Sequence, residues 1–165
     1  MESLYSSEIT ILGIGNTILT DEGFGVRVIE FLRENYDFPG NVGLIDGGTL
    51  GVELTHFITG TSKLLIVDSI DGGAEPGKIF HLKDDEILRH FSQKISSHEI
   101  GIQDLLTMFE ITGKKIPVVE LLGVQPYILD AGTELSPEMK KILPKIVEEV
   151  IKVLKSWKTE TTKKI

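Results

Sequence analysis

Two short apolar runs, Ile9-Thr10-Ile11-Leu12-Gly13-Ile14 and Leu64-Leu65-Ile66-Val67, constrain this chain more than any other feature. Neither alternates with polar residues, so each reads as a strand covered on both faces rather than one open to water. Val42-Gly43-Leu44-Ile45 and Val118-Val119-Glu120-Leu121-Leu122 are weaker candidates of the same kind. Lys78-Ile79-Phe80-His81-Leu82 alternates, as an edge strand does. Helical patterns fall between them. Gly25 to Glu34 places Val28, Ile29, Phe31 and Leu32 on one broad face, with Asn35 and Pro39 beyond. Gly51 to Ile58 reads as a short helix, and Ile102, Leu105, Leu106 and Phe109 recur at helical spacing before Gly113. The last helix opens on Ser136-Pro137-Glu138, serine as N-cap and proline at the first helical position. It continues toward Trp157, with a kink or break expected at Pro144.

Strands alternating with helices imply an α/β fold in three layers, a mostly parallel twisted sheet of about five strands with helices on both faces. The 165 residues suit one domain, with a core from about 9 to 157 and a polar tail from 158 to 165 expected to fray. Neither repeats nor a low-complexity linker divide it. In sheets of this kind ligands gather beyond the carboxyl ends of the strands.

Composition removes several chemistries. There is no cysteine, so thiol catalysis, disulfides and thiolate metal sites are excluded, and a metal would need oxygen and nitrogen ligands. The formal charge is −8, unevenly placed. From Lys140 to Ile165 eight lysines face three glutamates, a local +5 that leaves −13 on the rest. So acidic a body argues against nucleic acid as partner. No apolar run approaches the roughly 18 to 20 residues needed to span a bilayer. Met1 to Glu8 does not read as a secretory signal, so a cytoplasmic protein without membrane insertion is expected.

Three acceptor-rich places fall on the expected rim. The first is the loop Gly13 to Gly25, with Asp21 and Glu22. The second is Asp68, which closes a buried strand. The third is His98, in Lys94-Ile95-Ser96-Ser97-His98-Glu99-Ile100-Gly101. Gly13 and Gly15 suggest a dinucleotide loop, but Ile18 stands where its third glycine should be, and acids nearby would repel a pyrophosphate. A lone Glu at a helix start is ordinarily a dipole partner. Two carboxylates and an imidazole on one rim, however, would suit a borderline divalent metal or acid–base chemistry. His56, His81 and His90 read as packing or surface residues. No H-E-x-x-H and no serine elbow occurs.

Five segments, in order, resemble the hydrogenase maturation endopeptidases. They are Gly13-Ile14-Gly15-Asn16 with Thr20-Asp21-Glu22-Gly23-Phe24-Gly25-Val26; Asp46-Gly47-Gly48-Thr49; Ile66-Val67-Asp68-Ser69; Lys94 to Gly101 around His98; and Leu122-Gly123-Val124-Gln125-Pro126. The likeness runs from about Ile9 to Trp157. It implies an endopeptidase that removes the C-terminal extension from the precursor of a nickel–iron hydrogenase large subunit after nickel insertion. It assigns the nickel-contacting positions to Glu22, Asp68 and His98, with nickel supplied by the substrate, and other divalent metals such as zinc or cadmium able to occupy the same place. Asp46 is expected either to orient a ligand or the peptide, or to form a turn with Gly47. The resemblance also suggests a monomer. Two other readings fit parts of the pattern. One is a non-catalytic, nickel-dependent maturation chaperone. The other is a phospho-accepting receiver-like domain, which would need acids tight against strand one and a lysine ending the fifth strand.

Overall fold

A computed structural model describes residues 7–49, 52–92 and 115–165. The elements, in chain order, are β1 (Ile9–Ile14), α1 (Phe24–Asn35), β2 (Tyr36–Asp37), β3 (Val42–Gly48), α2 (Thr55–Ile58), β4 (Lys63–Ser69), β5 (Ile79–Lys83), α3 (Asp85–Ser92), β6 (Val118–Val124), α4 (Pro137–Ser156) and β7 (Thr162–Lys163). A short helical turn, Thr20–Gly23, leads into α1, and another, Val52–Leu54, leads into α2.

Five strands form one sheet in the order β3-β1-β4-β6-β5. All neighbours are parallel except β5, which runs antiparallel to β6 at the edge. Lys78 to Leu82 is thus an edge strand, as its alternation suggests. Successive residues of the inner strands face opposite sides. Ile9, Ile11, Leu65, Val67, Leu122 and Val124 pack with α1 and α4 on one face. Leu12, Ile14, Leu64, Ile66 and Leu121 pack with Leu54, Ile58 and Ile87 on the other. That two-sided burial is why the strands carry unbroken apolar runs, and it gives the three layers.

Strand order positions the site. From β1 the chain crosses through α1 to β3 on one side, whereas from β4 it proceeds toward β6 on the other. The adjacent ends of β1 and β4 therefore form a switch point, where diverging loops leave a crevice.

Two expectations change. α4 runs from Pro137 to Ser156 without interruption at Pro144. The proline lacks the N–H that would bond the carbonyl of Lys140, but Lys140 is exposed and water can reach it. Burial of Met139, Ile142, Ile146, Val147 and Val150 holds the helix on both sides of the proline. The tail does not fray either. Thr162 and Lys163 pair with Asp37 and Tyr36, and Lys164 donates its N–H to Asn35 O at 2.8 Å. The helix expected from Ile102 to Phe109 lies outside the described residues.

Candidate active site

The loop after β1 is built for close approach. Gly25 sits so near Val67 O and the backbone of Ile14 that a β-carbon there would clash with both. The start of α1 is thereby seated against the ends of β1 and β4 together. Gly15 (φ 145°) turns the chain under Glu22, whose carbonyl accepts from Asn16 N at 3.2 Å. The Gly15 N–H donates to Gly48 O at 2.8 Å, joining the ends of β1 and β3. The expected glycine-rich loop is present, but it packs backbone on backbone rather than cradling a phosphate.

Glu22 lies half-buried in the helical turn, which packs against β4. Asp68, the penultimate residue of β4, is fully buried. The two expected carboxylates therefore come from the two strands that flank the switch point. His98 lies outside the described residues. Among the described residues no cluster of three or more His, Asp or Glu side chains could hold a metal ion.

Asp46 closes a turn: its Oδ1 accepts from Gly48 N at 2.9 Å, and Gly48 has φ 49°. Of its two expected roles, turn formation is realised. Its exposed side chain also borders a cavity of about 220 Å³ together with Asn16, Thr17 and Thr49.

Two residues without an expected role of their own organise the rim. Asp21, fully buried beside Glu22, accepts from Tyr127 N (3.0 Å), Ile128 N (2.9 Å) and Ser136 N (2.7 Å), and from the Ser136 hydroxyl (2.9 Å). Such a set of donors compensates a carboxylate out of water. Gln125 follows β6 and is also buried. Its Oε1 accepts from Gly72 N (2.7 Å) and Ala74 N (3.2 Å), while its Nε2 donates to Asp71 Oδ1 (3.1 Å), fixing the loop after β4. A polar side chain directly after a buried strand is the one signal that could have found Gln125. His81, expected to be ordinary, pairs with Glu120 Oε1 at 2.6 Å across β5 and β6, away from the switch point.

The family model for hydrogenase maturation proteases matches residues 26–153. The hydrogenase expression/formation protein HupD of Rhizobium leguminosarum bv. viciae is 36% identical over 156 residues, covering 93% of this chain and 77% of the relative. The hydrogenase 2 maturation protease of Escherichia coli K12 is 36% identical over 148 residues, covering 89% and 90%. Among solved structures, the hydrogenase maturating endopeptidase HybD of E. coli superposes with a TM-score of 0.91 at 34% identity, covering 95% of this chain and 98% of that one.

Proposed function

The chain belongs to the hydrogenase maturation protease family and is a peptidase, and from that premise we propose that it cleaves the C-terminal extension from a nickel–iron hydrogenase large-subunit precursor once nickel is in place. What supports the reading is that the turn carrying Glu22 packs against β4, the strand that carries Asp68, at the switch point of the sheet. Nickel enters as part of the substrate. Glu22 and Asp68, joined by His98, take up the coordination positions that the precursor leaves open, and the scissile bond is held next to the metal. A bound divalent ion there withdraws electron density from a neighbouring carbonyl or water.

Two carboxylates and one imidazole, without a thiolate, bind a free borderline ion only moderately. Such a site stays silent until a loaded precursor arrives, so the metal reports that the substrate is ready. Asp46 has a second task in this reading: its carboxylate, at the border of the adjoining cavity, orients the peptide. In this reading the protein acts in the cytoplasm as a monomer.

The test is substitution at the rim. Glu22→Gln and His98→Ala each abolish processing of a nickel-loaded precursor while the far-UV circular dichroism stays unchanged. Normal cleavage by either variant would sink the assignment of that residue.

A further inference from the structure

Four of the five large apolar side chains that stand exposed among the described residues belong to one paired unit: Ile18 (62% exposed), Tyr127 (40%), Ile128 (41%) and Leu129 (44%); the fifth is Ile165. A protein that buries Ile and Leu throughout two core clusters leaves these in water. Scattered singly they would need no explanation, but four on two segments that are bonded to each other do.

The unit is held firmly. Leu19 bridges to Gly132; Gly132 N donates to Ile18 O at 3.0 Å and Thr20 N to Gly132 O at 2.9 Å. Asp21 N donates to Ile128 O at 3.1 Å, and the buried Asp21 carboxylate takes the N–H groups of Tyr127 and Ile128 in return. The Tyr127 hydroxyl lies over Gly77, at a place where any β-carbon would strike it. The backbone of residues 18–21 and 127–132 is thus tied together, while Ile18, Ile128 and Leu129 stay exposed and Tyr127 is covered only on the side that meets Gly77. Ordering a loop to present apolar groups to water gains nothing in the isolated chain. It lowers the ordering cost when a partner covers them.

Position says which partner. The backbone bonds that fix the unit end on Asp21, whose neighbour in the same turn is Glu22, the acid the proposed function sets against the substrate. We infer that Ile18, Tyr127, Ile128 and Leu129 form a docking surface for an uncharged, apolar segment of the precursor adjoining its cleavage point. This rests on the proposed function for the identity of the partner. An apolar contact also suits a body carrying net negative charge, because it needs no opposite charge on the precursor.

The experiment measures binding apart from turnover. The full chain carrying Glu22→Gln is titrated with nickel-loaded precursor, alone and with Ile18→Ser, Ile128→Ser and Leu129→Ser added. The dissociation constant rises at least tenfold in the triple variant. A parallel single change, Ile18→Asp, shifts it in the same direction and disturbs no buried side chain. A dissociation constant unchanged within twofold in both variants overturns the inference, as does failure of the unaltered surface to bind precursor at all. Sedimentation of the chain alone provides the third arm: a dimer that the triple variant dissolves would assign the surface to a second copy and overturn the inference. If precursor binds and the triple variant loses it, yet the chain with Glu22 intact never cleaves, the docking surface stands and the peptidase reading falls.

Discussion

The carboxylate of Asp21 accepts both the backbone N–H (2.7 Å) and the hydroxyl (2.9 Å) of Ser136, a residue 115 positions away that also caps α4 by accepting from Met139 N at 3.3 Å. One buried acid therefore ties the turn that carries Glu22 to the start of α4. The neighbouring acids differ: Asp21 is fully buried and builds the rim, whereas Glu22 is half-buried, the position the proposed function uses.

Removing that tie should be costly. Asp21→Ala leaves the N–H groups of Tyr127, Ile128 and Ser136 without their acceptor, and unmet buried donors cost about 1–3 kcal/mol each, so a loss on the order of 3 kcal/mol or more is expected. Ser136→Ala removes a helix cap and one of the four bonds, for about 1–2 kcal/mol. Urea unfolding followed by circular dichroism measures both. Equal midpoints for Asp21→Ala and the unaltered chain would show that the clasp does not hold the rim.

Gly25 makes a separate prediction. A methyl group there meets Val67 O and the Ile14 backbone, neither of which can rotate away. Gly25→Ala therefore strains the packing by about 1–3 kcal/mol or more and pushes the start of α1 away from β4. Thermal unfolding shifts down, and processing falls more steeply than stability, because Glu22 moves with the helix. Full activity in a destabilised Gly25→Ala protein would separate the position of α1 from the site.

Gln125 governs the loop that follows Asp68. In Gln125→Leu the amides of Gly72 and Ala74 lose their shared acceptor. Their hydrogen exchange should speed up by about tenfold or more, the equivalent of roughly 1.4 kcal/mol, while amides in β1 and β4 keep their rates. Unchanged exchange at Gly72 would show that the loop is held by other means.

Much of the architecture could be read along the chain because the inner strands are covered on both faces. Ile9 to Ile14 and Leu64 to Val67 have no polar alternation, and that pattern is local. The same locality limits the rest. Asp21 and Glu22 are adjacent and chemically alike, so no short-range pattern tells the clasp from the rim acid; the difference lies in Tyr127, Ile128 and Ser136, more than 100 positions on. Pro144 looks like a helix breaker until the packing of α4 against the sheet is known. The tail looks frayed until Tyr36 and Asp37 offer it a partner. The position of Asp68 was legible for a physical reason: an acid that follows an apolar run closes the strand, and so lies at its carboxyl end.

The central claim, a peptidase that acts only on a nickel-loaded substrate, is tested most directly by intact-mass analysis of a matched large-subunit precursor incubated with this protein, with and without nickel. The account predicts loss of a C-terminal peptide from the nickel-loaded form and an unchanged mass for the nickel-free form. Equal cleavage of both forms, or of neither, would contradict it.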